Sequence, residues 1–509
     1  MKKKTVFITG TTGSMGSAGL KILLERRDRF NIVTLVRPSE KNRKIMRPYA
    51  TESGLRIVWG DLTNYEDVLA CVTGADIVLH PAAMIAPEAD HDPVLARKIN
   101  VGSIENIVRA IKAQPDPDSI KLVNIGSVAM TGDRLYPIHV GRTGDPFKPS
   151  IYDAYACSKI DAERVVAESQ LKYWVSLRQT FVAIPDTLAL MDPIMFHQPL
   201  DTCIELCTQH DAGLLLANAC EDSVPEEFWR RFYNIGGGPN ARLTFLALME
   251  RVYGALGLGA PAMLTDRNWF ALRNFHCHWF EDSGTLNEYL HFQTMGVDDY
   301  VASVVEGSPW YVTLANKPVM RTIMQLRPVQ RLIRKFLMQP LAFASRDSTM
   351  YWVRNNLPDR ISAFFKDKQS WQAIPPTWDD IRRPSYQHYQ RLDHGYDESL
   401  PDSELNWPQL QKAARFRGGQ CMAASMQVGD LFAPLDWQCW RGHAFSMSPN
   451  AVLKGGHWCP HCAPSIHGWD YDQEAMYNPF FAQVWYPNHD VTEAHYYPPD
   501  CYLDVVEAQ

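Results

Sequence analysis

Val6-Phe7-Ile8-Thr9-Gly10-Thr11-Thr12-Gly13-Ser14-Met15-Gly16 opens the chain with a short apolar run and three glycines at three-residue spacing, and Leu20 and Ile22-Leu23-Leu24 follow at helical spacing. The apolar run reads as a buried strand and the later residues as a helix. Glycines between them let the chain turn sharply, bring backbone close to a bound group and seat the helix against the strand. The start of that helix offers N–H groups without intrahelical partners and partial positive charge, so it suits a phosphate or pyrophosphate.

The pattern continues outward. Asn31-Ile32-Val33-Thr34-Leu35-Val36 reads as a second strand, Leu55-Arg56-Ile57-Val58-Trp59 as a third, Asp76-Ile77-Val78-Leu79-His80 as a fourth and Leu122-Val123-Asn124-Ile125 as a fifth. Helical patterns separate them, as between Val94 and Ala113. Such alternation predicts a doubly wound parallel sheet of the Rossmann type, with ligands at the carboxyl ends of the strands. Gly13, Asp61, Ala82 and Ser127 all fall at such ends. Asp61 is placed to accept from an adenine amino group, and the small Ala82 allows close approach of a cofactor. After the second strand comes Arg37, with Lys41, Arg43 and Lys44 behind it, where an acidic residue would hold the ribose of NAD. Positive charge there favours the 2′-phosphate of NADP, with NAD kept open.

Tyr155 and Lys159 stand four apart at the start of a helical pattern that runs through Ala162, Val165 and Val166. Residues four apart share a helix face. An ammonium beside a phenol favours the phenolate and lowers the tyrosine pKa towards the range useful for acid/base work. Ser127, at the end of the fifth strand, is placed to hydrogen-bond a substrate oxygen.

Taken together, Thr9-Gly10-x-x-Gly13-x-x-Gly16, Gly60-Asp61-Leu62, His80-Pro81-Ala82-Ala83, Asn100-Val101, Ser127 five residues before Gly132, and Tyr155-x-x-x-Lys159 resemble the extended short-chain dehydrogenase/reductase superfamily, NAD-dependent epimerase/dehydratase type. The resemblance covers roughly residues 5 to 300. It implies an enzyme in which Tyr155 is the acid/base, Lys159 its partner and ribose contact, and Ser127 the substrate hydrogen bonder. The implied cofactor contacts come from Gly10, Thr12, Gly13, Met15 and Gly16 in the first turn, and from Arg37, Asp61 and Leu62 after the second and third strands. Ala82, Ala83 and Asn100 follow, with Tyr155 and Lys159 completing the set. Ser103, Thr131 and Gln179 depart from the family's usual glycine, tyrosine and proline, which puts a standard sugar-nucleotide substrate in doubt. The expected reaction is hydride transfer between nicotinamide and a secondary alcohol or ketone, with a bulky lipidic or steroid-like substrate. The alternative is a nucleotide-sugar epimerase or dehydratase with tightly held NAD.

A chain of 509 residues calls for two or three domains, and 46% hydrophobic residues suffice for full cores. The net charge of -7 argues against a general nucleic-acid binder. Lys2-Lys3-Lys4 before Val6-Phe7-Ile8 is too short an apolar run for a secretion signal. The 11 cysteines are scattered and odd in number, which points to reduced thiols, a cytoplasmic setting and one metal site. The division expected is 1–310 for the Rossmann unit with its substrate cap (mainly 180–310), 311–400 for a helical extension and linker, and 401–509 for a zinc-ribbon-like C-terminal domain. Met191 to Leu200 is rich in Met, Phe and Pro and suits either an apolar pocket or ordinary core. His276-x-His278 has aromatic neighbours and reads as a buried edge rather than a metal site.

Met320, Ile323, Met324, Val329, Leu332, Ile333, Phe336 and Leu337 recur at helical spacing with Arg321, Arg327, Arg331, Arg334 and Lys335 among them, and Pro328 should break the helix. The stretch 319–338 either touches an anionic membrane surface or packs on its own domain with solvated arginines; the second is the simpler reading. Further on, Cys439-x3-His443 and Cys459-x2-Cys462 form two short-spaced pairs in glycine-containing knuckles. Four S/N ligands in this pattern point to a closed structural Zn2+ site, with His457 or His461 as alternatives to His443. A homodimer and a small-molecule substrate are the expected partners.

Overall fold

The computed structural model describes residues 3–186, 192–309, 317–462 and 468–506. Its centre is a seven-stranded sheet: β1 (Lys4–Ile8), β2 (Phe30–Val36), β3 (Leu55–Trp59), β4 (Ile77–His80), β5 (Lys121–Ser127), β6 (Trp174–Gln179) and β7 (Arg231–Ile235). Their order is β7-β6-β5-β4-β1-β2-β3, and every pairing is parallel. This is the Rossmann-type doubly wound α/β arrangement. The chain order reverses direction between β1 and β4, where a crevice opens at the strand ends.

Alternation along each strand divides the core. Phe7, Val33, Leu35, Val78 and Leu122 face one layer, while Val6, Ile8, Ile32, Ile77 and Leu79 face the other. Helices cover both faces, as burial of a parallel sheet requires. Those that position the site are α1 (Ser14–Glu25), α2 (Pro93–Lys112), α3 (Ala154–Ala167) and α4 (Gln209–Asn218). The first two match the helices expected after Gly13 and from Val94 to Ala113. β7 contains Phe232-Tyr233-Asn234-Ile235.

Beyond the sheet, α5 (Phe245–Ala255) and the antiparallel pair Cys203–Glu205 with Arg242–Thr244 form a cap. The expected break at Pro328 is present: one helix ends at Met324 and the next, Arg327–Ile333, carries the proline in its first turn, where a missing N–H costs nothing. Met191, which opens the Met191–Leu200 segment read from the sequence, lies outside the described residues.

The last hundred residues pack against the Rossmann half. A small sheet of β8 (Gln420–Cys421), β9 (Leu435–Gln438) and β10 (Ala444–Met447) places Trp437 and Phe445 in one apolar cluster with Ile104, Val166 and Phe232. Polar links reinforce it. The Ser448 hydroxyl donates to Glu168 at 2.6 Å, and the Tyr471 hydroxyl donates to the Pro149 carbonyl at 2.9 Å. The polar stretch after Arg383 holds neither helix nor strand through Pro401, yet it is anchored: Arg142 binds Glu398, and the buried His394 meets Asp145 at 3.0 Å.

Candidate active site

The glycine run forms a tight cradle. Gly10 has φ +63°, and a Cβ there would sit 3.0 Å from the backbone of Ala82. A Cβ on Gly16 would fall 2.2 Å from the Gly10 carbonyl oxygen. Side chains are thus excluded at both positions. Gly13 precedes α1 with no side chain to cap it, and no acidic residue lies in the first turn. The first N–H groups of α1 therefore remain available to an anion. Thr9 fixes the neighbouring strand end: its hydroxyl accepts from the Ala82 N–H at 3.2 Å and contacts His80 Nδ1 at 3.0 Å. Thr12 is part-exposed at the bend, but the Met15 side chain is buried in the core. Met15 was expected among the cofactor contacts; only its backbone is left to serve, because its side chain holds α1 to the sheet.

Asp61 turns one carboxylate oxygen onto the Thr63 N–H and hydroxyl, both at 2.8 Å. The Leu62 carbonyl accepts from Asn106 at 2.9 Å. Arg37 is exposed at the end of β2, and Arg43 stacks on Trp59 with its guanidinium 4.6 Å from the ring centre. Ala83 continues the chain out of β4 into the turn that Asn100 closes. The Asn100 side chain accepts from the Met84 N–H at 2.7 Å, and donates to the Met84 carbonyl at 2.9 Å and to the Ser158 hydroxyl at 2.8 Å. It ties the β4 exit to the helix bearing Tyr155 and Lys159.

Ser127 and Tyr155 both line a cavity of about 420 Å³. The Ala129 N–H donates to the Ser127 hydroxyl at 3.2 Å and orients it. α3 begins with Asp153, whose carboxylate accepts from the Ala156 N–H at 2.7 Å, while Asp90 accepts from the Tyr155 N–H at 3.3 Å. Burial pushes the Tyr155 phenol up to about 12, and the hydrogen bond with Ser127 offsets only part of this. The lowering expected from Lys159 is not found: desolvation dominates, the Asp153 charge adds to it, and the neutral phenol is favoured. Lys159 is itself lowered to about 8 by burial, with the Glu163 carboxylate pulling the other way. His80 falls to about 3, from burial first and the nearby Lys159 charge second.

Glu163 is one turn beyond Lys159 and fully buried. Burial would raise it, but Arg178 and His457 hold it at about 2. Arg178 donates to both Glu163 oxygens and to the Gly455 carbonyl, and His457 Nε2 lies 3.1 Å from Glu163. The C-terminal module therefore reaches the helix that carries the Tyr/Lys pair. His457 is committed to this network, so it is not an alternative metal ligand. His461 is also outside the cluster of candidate ligands.

The rest of the cavity wall was not read from the sequence. Ile194 and Met195 line it, as the Met191–Leu200 segment suggested, together with Leu248, Met249, Val252 and Tyr253 of the cap. Polar groups also line it: Asp90, His91, Asp153, His276, Asp347 and Arg360. Phe364 and Val505 close it, so both the helical extension and the C-terminus contribute. His276 sits 3.6 Å from Asp153, whereas His278 is core, bonded to Thr131 at 3.0 Å and to the Trp279 carbonyl at 2.7 Å. Burial drives Asp90 well above the ordinary carboxylate range, and the Asp153 charge adds to it. Several buried polar atoms around the cavity lack a protein partner: Ser150 Oγ, Tyr152 Oη, Gln179 Oε1, Thr180 Oγ1, Gln198 Nε2 and Tyr253 Oη. Buried polar groups ordinarily find partners, so these await bound water or ligand. The three departures from the family pattern have local roles: Ser103 meets His80 Nε2 at 3.2 Å, Thr131 holds His278, and Gln179 faces the cavity.

In the C-terminal module, Cys439, His443, Cys459 and Cys462 converge, with all four ligand atoms within 4.8 Å of one another. Cys439 and His443 bracket the β9–β10 turn, where Gly442 has φ +83° and its N–H donates to the Cys439 carbonyl at 2.9 Å. The donor set and spacing fit a closed tetrahedral zinc site.

Fold and site together define a Rossmann-type protein in which Ser127 and Tyr155 line one cavity and Lys159 is buried one turn further along α3. Residues 6–183 match the model of the NAD dependent epimerase/dehydratase family. Among curated relatives, UDP-glucose 4-epimerase of Rickettsia canadensis (strain McKiel) is 32% identical over 142 residues, 27% of this chain and 39% of the relative. Mouse 3 beta-hydroxysteroid dehydrogenase type 7 is 25% identical over 164 residues, 32% of this chain and 43% of the relative. The chain thus spans about two-fifths of the length of these relatives. A solved dTDP-glucose 4,6-dehydratase from Bacillus anthracis in complex with NAD aligns over 63% of this chain and 100% of its own, at 14% identity and a TM-score of 0.48.

Proposed function

We propose that the protein is a nicotinamide-dependent oxidoreductase acting on a secondary alcohol or ketone of a bulky, mainly apolar molecule. The observation that carries this is the convergence of Ser127 and Tyr155 on one cavity, in a chain whose first strand ends in a glycine cradle that excludes side chains at Gly10 and Gly16. The cradle and the open start of α1 suit the pyrophosphate of a dinucleotide. When bound, the nicotinamide supplies or takes up the hydride. Ser127 donates to the substrate oxygen and holds it against Tyr155. In reduction the neutral phenol, favoured by burial, gives its proton to that oxygen. Lys159 stabilises the phenolate that results and is placed to hold the ribose. Arg37 favours NADP over NAD through a charge-assisted bond to the 2′-phosphate.

The size of the cavity and its apolar wall of Met195, Leu248, Met249 and Val252 support a sterol-sized substrate. The hydroxysteroid dehydrogenase relative agrees with this. The polar lining groups supply partners for a few substituents. Nucleotide-sugar epimerisation is the second reading, favoured by the epimerase relative. It predicts no net change in cofactor.

The Cys439, His443, Cys459 and Cys462 cluster holds a structural Zn2+ in this reading, which fastens the turn that packs beside α3. Eleven free thiols, most of them buried, suit a reducing cytoplasm. Among the described residues, no helix is long and apolar enough to cross a membrane.

The test is absorbance at the reduced nicotinamide band with purified protein, NADP(H) or NAD(H), and a panel of bulky ketones and alcohols. Steady turnover that Tyr155→Phe abolishes is expected. Turnover of a nucleotide sugar without net absorbance change would replace this reading by the second.

A further inference from the structure

The segment 317–345 contains six basic residues (Lys317, Arg321, Arg327, Arg331, Arg334 and Lys335) and no Asp or Glu, in a chain of net charge -7. It is also where apolar side chains are left in solvent. Val319, Ile323, Leu326, Leu332, Phe336 and Leu337 are each at least 40% exposed, Val319 and Phe336 at 73% and 70%. A solvated helix usually hides such residues and exposes its charges. Here both are exposed together: Arg321, Arg327, Arg331 and Lys335 project from the same stretch. Arg334 pairs with Asp266, and the other cations extend the patch beyond that pair.

The patch is rigidly mounted. Gln330 is buried and donates to the carbonyls of Leu258 and Met324 at 2.7 and 2.6 Å, and Arg321 donates to Gly254 at 3.0 Å. On the inner side, Met338 and Ala342 pack in one cluster with Leu248, Met249 and Val252. Those three residues form the apolar wall of the cavity. The exposed face and the cavity wall are thus two sides of one layer.

We propose that the face formed by residues 317–337 docks this protein on an anionic lipid surface. Apolar side chains enter the boundary between headgroups and acyl chains while arginine and lysine meet the lipid phosphates, the arrangement of an interfacial rather than a spanning element. Charge complementarity selects this occupant: a second copy of the same all-basic face would be repelled. The inference rests on the exposed face and not on the redox reading, and its test needs neither cofactor nor substrate.

The full chain is mixed with sedimentable vesicles of phosphatidylcholine alone, or with roughly one-third phosphatidylglycerol. The bound fraction is read at about 0.1 M and about 1 M salt. Binding to the anionic vesicles, lost at high salt, is expected. The fourfold variant Arg321→Glu/Arg327→Glu/Arg331→Glu/Lys335→Glu should lower partitioning by about a hundredfold or more. Leu332→Ser/Phe336→Ser should lower it by about tenfold. Arg327, Arg331, Leu332, Lys335 and Phe336 are solvent-exposed and outside the anchoring contacts, so Leu332→Ser/Phe336→Ser and a threefold Arg327→Glu/Arg331→Glu/Lys335→Glu variant that spares Arg321 should keep the parent's unfolding temperature and still show the loss. Equal binding to neutral and anionic vesicles, or binding to neither, would overturn the proposal. So would a dimer in sedimentation that Leu332→Ser/Phe336→Ser dissociates without any vesicle binding.

Discussion

The glycine cradle is made by seven consecutive residues, Gly10 to Gly16, whereas the cavity of Ser127 and Tyr155 is walled by segments as distant as Gln179, Met195, Tyr253, His276, Arg360 and Val505. The cradle works through backbone: a left-handed glycine, an uncapped helix start and a strand end held by Thr9. The cavity works through side chains that only folding collects. The first kind of site tolerates little change and leaves a mark in sequence. The second can be rebuilt residue by residue, which is how one fold accepts different substrates.

The sharpest break of this contrast is Tyr155→Phe. It removes the phenol proposed to exchange the proton, so kcat should fall about a thousandfold. Cofactor affinity, read by fluorescence titration, should stay near that of the parent. Retained turnover would show that the proton comes from elsewhere, with Asp90 the first group to suspect.

Next in size is Cys459→Ser or prolonged chelation. Loss of the metal should lower the unfolding temperature markedly, because a structural zinc contributes folding free energy directly. Metal analysis should fall from one zinc per chain to none. An unchanged melting curve and no zinc in the parent would leave the thiol cluster without this role.

His276→Ala tests the cavity wall. KM should rise about tenfold with cofactor binding unaffected, as expected for a substrate contact worth roughly 1.4 kcal/mol. A fall in cofactor affinity instead would mean that cradle and cavity are not separable. Arg37→Ser should weaken NADP by about tenfold and leave NAD nearly unchanged.

The smallest effect is in pH dependence. Lys159 loses its proton near 8, so kcat/KM for ketone reduction should decline above that pH. The Glu163 charge is what raises Lys159, so Glu163→Gln should move the decline to lower pH. A shift to higher pH, or none, would detach Glu163 from the proton machinery.

Much of the parallel sheet was legible because strand alternation and glycine spacing are local regularities, and the strand-end Ser127 and helix-start Tyr155 do line one cavity. The zinc-type cluster was legible for the same reason, since each pair lies within a single turn. The tyrosine pKa was misjudged because proximity of a cation is visible in spacing, but burial is not; desolvation dominated. His457 looked like a ligand by its neighbours, yet Glu163 and Arg178, nearly three hundred residues away, claimed it.

Local rules thus settled which groups this chain owns: the bend for a phosphate, the phenol and ammonium on one helix face, and the paired thiols. Only the tertiary structure decided the shape and polarity of the space above them and the tie from the C-terminal module to α3. The reason is that burial and contact are properties of the folded ensemble of segments, and no stretch of sequence carries its own dielectric surroundings.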